Sequence, residues 1–363
     1  MSKFHLQITK LYCFTIFESL SLAGASWVAL LAARGYSIAQ IGIFEAIFHA
    51  VSICGELPSG VIADVLGRKR TLIASRAMAL FSAVAMILSH SFGMIAIAMG
   101  ISALSYNLAS GTREALGYDS LKRLGRESEY VRFSSNEMMI YRIFSSASTL
   151  LAGAALYLGY KKAYCVDVGI AAAGMVFALC LTDISFYRDM EKTPLTDQFK
   201  DCIVTSFRFL VQNPKALLII AVNSLIGAAA TLMLFFLQAN LPEIGLPEAL
   251  LGPVLFLMGM GAALGAKTVP HFSGLSYRKI LAISVLGLLI ASGTLLWCNP
   301  YLIAAGGFIA AFSDDFLEIR TDIVLNDMIP SEQRATLMSV CSFAFSIVMI
   351  VLSPLMGMIF DLL

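Results

Sequence analysis

The sequence predicts an all-α, polytopic membrane fold, and three observations carry the prediction. Hydrophobic residues make up 58% of the 363, charged residues only 13%, and mean hydropathy is +0.82, whereas soluble domains carry about 25% charge. Apolar runs of about 20 residues, the length a helix needs to cross the hydrocarbon, recur along the whole chain. Prolines, glycines and charges gather between the runs as turns.

In chain order the first half gives spans near 11–33, 38–63, 71–90, 92–117, 134–158 and 162–187. The first run is long enough to span and has no small-residue cleavage pattern behind it, so it is expected to remain as a helix. The pattern then stops. Residues 188–214 carry Arg188, Asp189, Glu191, Lys192, Asp197, Lys200 and Asp201, with amphipathic spacing through Phe199, Cys202, Ile203, Phe207 and Leu210, which reads as a cytoplasmic linker with an amphipathic helix. Further spans fall near 215–240, 247–269, 279–297, 300–325 and 335–360. The chain therefore divides into a six-helix half over 1–187, the linker, and a five-helix half over 215–363, giving about 11 transmembrane helices.

Lys and Arg distribute unequally about these spans. With the amino terminus inside, 19 of the 25 lie in or beside cytoplasmic segments, while Arg34, Lys161 and Lys162 lie outside and Arg113, Arg142 and Arg320 fall within spans. The positive-inside rule then places the amino terminus in the cytoplasm and the carboxyl terminus outside a cell membrane.

Between spans two and three stands Gly60-Val-Ile-Ala-Asp64-Val-Leu-Gly67-Arg68-Lys69-Arg70. Its glycines permit close approach of two helices and a tight turn, and its basic residues suit an anionic cytoplasmic interface. The stretch resembles the G-x-x-x-D-x-x-G-R-K/R loop of major facilitator superfamily transporters. Cys54-Gly-Glu56-Leu-Pro58-Ser59-Gly60, Ser110-Gly111-Thr-Arg113-Glu114 through Leu121, and Ile329-Pro330 through Thr336 are similar to other segments of that family. The resemblance implies two pseudo-symmetric helical halves that rock about a central site, with the twelfth helix missing; by analogy that helix would lie on the periphery, facing lipid. The chain is either an eleven-helix carrier or a truncated relative. It also implies that Gly60, Asp64, Gly67, Arg68, Lys69 and Asp119 form a conformational switch, with Asp64, Arg68 and Asp119 clustering to hold the outward-facing state. A faint repeat, Lys69 to Ser75 against Arg278 to Ser284, agrees with two related halves. The second-half counterpart, Gly265-Ala-Lys267-Thr-Val-Pro270-His271, lacks the acidic member.

Charges at membrane depth need a partner, a cavity or a proton. Glu18, Arg142 and the pair Asp314 and Asp315 fall near mid-span, and Arg113 and Glu114 near the inner end of span four. Spans one, four, seven and ten line the cavity in the resembled family, so Glu18, Arg113, Glu114, Arg142, Asp314 and Asp315 are substrate or proton path candidates. The structural alternative is that Glu18 merely neutralises Arg142 or Arg113. Asp314 and Asp315 point about 100 degrees apart, so at most one faces a cavity squarely. Glu45 and His49 lie one helical turn apart and form either a proton-sharing or a plain hydrogen-bonded pair. Tyr12, Phe14, Phe17, Tyr106, Tyr141, Phe144, Phe235 and Phe236 are core packing or stack on a flat substrate. Gly261-Ala-Ala-Leu-Gly265 allows close helix contact.

Several function classes lack any support. The formal net charge of +1 offers no basic face for nucleic acid, the seven cysteines are scattered without metal or redox spacing, and no nucleotide-binding or hydrolase motif occurs. No cofactor, metal or enzymatic activity is expected. The partners expected are the lipid bilayer, a small organic substrate and protons, with the protein a monomer. The function expected is proton-coupled efflux of a small organic molecule by alternating access, although span five reads Arg142 to Gly153 without the proline of many antiporters. Proton-driven uptake and a non-transporting, ligand-binding remnant are the alternatives.

Overall fold

The computed structural model describes residues 3–183, 213–272, 274–328 and 334–362, and among these every regular element is helical. The expected linker at 188–214 falls almost wholly outside the described residues, as does most of Ile329 to Thr336. The helices are α1 (Lys3–Ser19), α2 (Trp27–Ala32), α3 (Ile38–Leu66), α4 (Arg68–Leu88), α5 (Phe92–Ala109), α6 (Thr112–Arg123), α7 (Tyr130–Leu150), α8 (Ala152–Leu158), α9 (Tyr160–Cys180), α10 (Pro214–Glu243), α11 (Glu248–Thr268), α12 (Tyr277–Thr294), α13 (Pro300–Met328) and α14 (Arg334–Phe360).

Nine stretches among the described residues are long and apolar enough to cross a membrane, and the α7–α8 pair makes a tenth. The remaining expected span, α13, is 29 residues long. Asp314, Asp315, Glu318, Arg320, Asp322 and Asp327, from its middle to its end, lower its mean hydropathy.

Three expected spans are interrupted. The first breaks after Ser19, and α2 resumes at Trp27. The Asp167 carboxylate of α9 accepts hydrogen bonds from the Leu22 amide at 2.5 Å and the Gly24 amide at 2.9 Å, satisfying backbone groups that the break frees. The fourth breaks at Gly111, whose φ of +72° is a left-handed conformation glycine adopts without cost. The fifth bends by 46° between α7 and α8 although it contains no proline. Here Ser148 and Thr149 return their hydroxyls to the carbonyls of Phe144 and Ser145, and the Ser148 hydroxyl also accepts the Ser21 amide, a known way to loosen a helix.

The chain separates into two compact units, one of Met1–Trp27 with Ile47–Phe199 and the other of Val28–Ala46 with Lys200–Leu363. In the first, Leu11, Phe14, Leu72, Leu116, Phe133 and Ala178 form a core drawn from α1, α4, α6, α7 and α9. Gln7 exchanges hydrogen bonds with the Thr182 backbone and Lys10 donates to the Cys180 carbonyl, so the start of α1 is tied to the end of α9. Ser75 and Ser105 each donate to the other's carbonyl at 2.9 Å, joining α4 to α5, the polar, small-residue contact that lipid-embedded helices use.

In the second unit α13 packs against α10, α11 and α12. Gly261 and Gly265 press α11 onto α13 so closely that a Cβ would meet the Phe308 carbonyl oxygen at 2.3 Å and that of Phe312 at 2.2 Å. Thr321 donates to Asn223 at 3.0 Å and pairs with the Tyr277 hydroxyl at 3.2 Å, linking α10, α12 and α13. The start of α3 belongs to this unit, where Asp361 accepts the Ile38 and Ala39 amides at 2.7 and 3.0 Å.

Candidate functional site

The first unit gathers charged side chains from four helices. The Gly111 turn starts α6 on a new axis, so Arg113 and Glu114 fall in its first turn. Glu18 sits one residue before α1 ends. Arg113 pairs with Glu18, with Glu114 at 2.5 Å and with Glu137 of α7 at 2.9 Å. The last contact is ionic rather than hydrogen-bonded, because the Arg113 Nε makes no aligned hydrogen bond. Arg76 of α4 reaches Glu18 at 3.4 Å and lies 5.3 Å from the Phe14 ring centre. Thr15 donates to Glu137 at 3.0 Å.

Burial makes these contacts costly to break. The Glu137 side chain is 5% exposed and that of Arg76 8%, and removing one partner of a buried pair leaves a charge whose desolvation is uncompensated, at about 3 to 5 kcal/mol. Three carboxylates face two guanidiniums, so this contact set carries one surplus negative charge when all are ionised. Arginine does not give up its proton here. Neutralising the surplus would take one proton or one other cation.

Of the residues singled out from sequence, Glu18, Arg113 and Glu114 meet, and Glu18 chooses Arg113 and Arg76 rather than Arg142. Arg142 is exposed on α7 outside the set. Arg76 and Glu137 were not anticipated. Arg76 stands eight residues into α4, about 12 Å from its start, so its depth was readable, although it was counted among the 19 basic residues in or beside cytoplasmic segments. Glu137 follows the polar Ser134-Ser135-Asn136 and read as part of a helix end. Its partner on α6 is a tertiary fact.

Asp314 lies against α10, with one carboxylate oxygen 3.2 Å from where a Gly227 Cβ would stand. Asp315 is half-buried beside it. In the loop motif, Arg68 pairs with Asp119 and donates to the Ala115 carbonyl at 2.5 Å, fastening the start of α4 to α6. Gly67 has a φ of +93°, and its missing side chain leaves room for Asp183, whose carboxylate oxygen would lie 2.8 Å from a Cβ. Lys69 is half-buried. The Asp64 side chain and the surroundings of Gly60 lie outside the described residues.

A family model described as "Major Facilitator Superfamily" matches residues 11–313. The chain belongs to the major facilitator superfamily. The match extends into both units of this multi-pass membrane protein and agrees with the fold class read from the spans. A superfamily relative of Bacillus subtilis (strain 168), described as an uncharacterized MFS-type transporter, YxaM, is 23% identical over 341 residues, covering 91% of this chain and 84% of its own. Among solved structures, the nucleoside transporter NupG aligns with a TM-score of 0.80 at 13% identity over 100% of this chain and 92% of that one. A bacterial homologue of the human lysosomal transporter Spinster, in an inward-facing unoccupied conformation, aligns at 0.71 with 17% identity over 99% and 82%. A D-xylose-proton symporter aligns at 0.68 with 12% identity over 98% and 89%. At these identities the superfamily fold is what the three structures share with this chain.

Proposed function

We propose that the protein is a secondary active transporter of a small organic molecule, working by alternating access and coupled to protons across a cell membrane. The observation that carries this reading is the buried contact of Glu18 and Glu137 with Arg113. An ionised group at membrane depth costs about 2.5 to 3.5 kcal/mol unless paired. A carboxylate there holds its charge while the arginine faces it and takes a proton when the arginine is drawn away. The Arg68–Asp119 pair, with Asp64, is proposed as the cytoplasmic latch of the cycle, the amino terminus being cytoplasmic and the carboxyl terminus outside. Asp314 and Asp315 are a second proton path candidate, and the two halves, 1–187 and 215–363, are proposed to work as one monomer.

Export is the direction proposed, on the aromatic residues beside the charged set and the few neutral polar groups there. A second reading, proton-driven uptake of a polar solute, is favoured by the five charged side chains that converge in one unit. Reconstitution into liposomes with an imposed pH gradient separates the possibilities. Gradient-driven flux of a bound compound, lost in Glu18→Gln, is the expected result. Binding without flux would assign the chain to the non-transporting alternative. A susceptibility comparison with and without the gene tests direction, and no change across a broad compound panel would count against export.

A further inference from the structure

We propose that the interruption of the first span is a two-state hinge set by one proton on Asp167: broken while the carboxylate grips the freed amides, and closed into continuous helix once the carboxylate is neutralised. The inference goes beyond the transporter reading and rests on it only for the flux step.

Nothing in the local sequence imposes the break. Residues 20–26 read Leu-Ser-Leu-Ala-Gly-Ala-Ser, without proline, and none of them has a left-handed φ. Leucine and alanine are among the best helix formers. The break is held from outside, by two other helices. The Asp167 carboxylate of α9 accepts the Leu22 and Gly24 amides at 2.5 and 2.9 Å and reaches that of Ala23 as well, while the Ser148 hydroxyl of α7 accepts the Ser21 amide at 3.1 Å. In an unbroken helix the same four amides would bond the carbonyls of Phe17, Glu18, Ser19 and Leu20, each four residues earlier. They therefore have two alternative sets of acceptors, which is what a bistable element needs.

Asp167 is suited to choose between the sets. It stands seven residues into α9, about 10 Å from the helix start, and no charged side chain among the described residues bears on it; backbone amides hold it. On the helices packed against α9 or the break, Glu18 of α1, Arg76 of α4 and Glu137 of α7 are spent on Arg113 or on one another. Arg142 of α7, Tyr157 of α8, and Lys161 and Lys162 of α9 itself are exposed. A carboxylate at membrane depth without a counter-ion keeps its charge through hydrogen bonds alone. Protonation removes that charge and weakens every amide bond to it, whereas the helix carbonyls accept as before. The proton count is one, taken up as the helix closes and released as it breaks again.

The place of the break gives the switch its lever. Met1–Trp27 belongs to the first unit and Val28–Ala46 to the second, so residues 20–26 are where the chain is about to leave the first unit. On the near side, Glu18 is fastened to Arg113 and Arg76. A change from broken to continuous helix after that fixed point redirects the chain as it crosses into the second unit.

The test uses the two tryptophans of the full-length protein. Trp27 opens α2 beside the break, and Trp297, in the turn after α12, is 73% exposed, so Trp297→Phe leaves one reporter at the hinge. In that background the Trp27 emission is expected to change with pH in a single-proton step about two pH units wide, and to stay flat once Asp167→Asn is added. Ala25→Pro separates the hinge from the titration itself. Proline fits the first turn of the helix that resumes at Gly24, whose missing Cβ spares the ring a clash, but in a continuous helix it removes a bond to the Ser21 carbonyl and collides with that group. Ala25→Pro therefore keeps Asp167 while depleting the continuous state about 100-fold, so both the emission step and gradient-driven flux should be lost. Emission indifferent to pH, a step that survives in Asp167→Asn or in Ala25→Pro, or wild-type flux in Ala25→Pro would each overturn the hinge. If Ala25→Pro yields no monodisperse protein, the Asp167→Asn comparison decides alone. The expected emission pattern in a protein that drives no flux would sink the transporter reading and leave the hinge standing. Gradient-driven flux without the emission step would sink the hinge and leave the transporter.

Discussion

Gly265→Ala is expected to destabilise the second unit, whereas Gly259→Ala, six residues earlier on the same helix, is not. A Cβ at residue 265 would stand 2.2 Å from the Phe312 carbonyl oxygen and 3.0 Å from its carbon, where ordinary contact begins near 3.4 Å. Both obstructing atoms are backbone, so no side chain can swing aside, and α11 and α13 must part by about 1 Å. Overpacking of this kind costs about 1 to 3 kcal/mol. Part is offset, because alanine gains about 0.5 to 1 kcal/mol over glycine as a helix former. At residue 259 nothing lies within 4 Å of the new atom, so only the gain remains. The two variants should therefore differ by about 1 to 3 kcal/mol in favour of Gly259→Ala. Gly261→Ala would meet the Phe308 carbonyl at 2.3 Å, and since one separation relieves both clashes, Gly261→Ala with Gly265→Ala should cost less than the sum. Thermal midpoints of the purified protein, read by loss of the monodisperse chromatographic peak, rank the four variants in one detergent. Equal midpoints for Gly259→Ala and Gly265→Ala would refute the claim that α11 and α13 touch at backbone distance.

Other outcomes follow from the charged contacts. Glu18→Gln should lower thermal stability by about 3 kcal/mol because Arg76 loses its only carboxylate partner among the described residues, and adding Arg76→Met should recover part of that loss in the same thermal assay. Asp119→Ala and Arg68→Ala should each slow transport, and the double variant should be no worse than either single one; additive losses would show that the two do not act as a pair. Asp167→Ala should destabilise more than Asp167→Asn, which keeps one acceptor oxygen, since in the alanine variant the amides of Leu22 and Gly24 both lose their acceptor at about 1 to 3 kcal/mol each; hydrogen exchange at those amides reads the effect directly.

What could be read in the sequence was set by physics that acts along the chain. Hydrophobic length dictates a membrane helix locally, so the spans from Phe92 or Tyr277 onward were legible, and so was α13 in spite of its acids. The interruptions were legible only in part. Gly111 was visible as a glycine, but the break at Ser19 depends on Asp167, which stands 145 positions from Leu22 and which no local pattern connects to it. The bend near Leu151 was hidden because no proline marks it, while Ser148 and Thr149 return their hydroxyls to the helix carbonyls. In the site, intramembrane charge alone pointed to Glu18, Arg113 and Glu114. Choosing Arg76 over Arg142 as the other partner of Glu18, and adding Glu137, required knowing which helix faces lie together.

The acids of α13 bear on how the protein is made. With Asp314, Asp315, Glu318, Arg320, Asp322 and Asp327 in one 29-residue helix, this segment would enter lipid poorly by itself, each central charge opposing insertion by about 2.5 to 3.5 kcal/mol. The helices it packs against, α10, α11 and α12, all precede it in the chain. They leave the ribosome first, so a waiting protein surface, rather than bare hydrocarbon, receives α13 during synthesis.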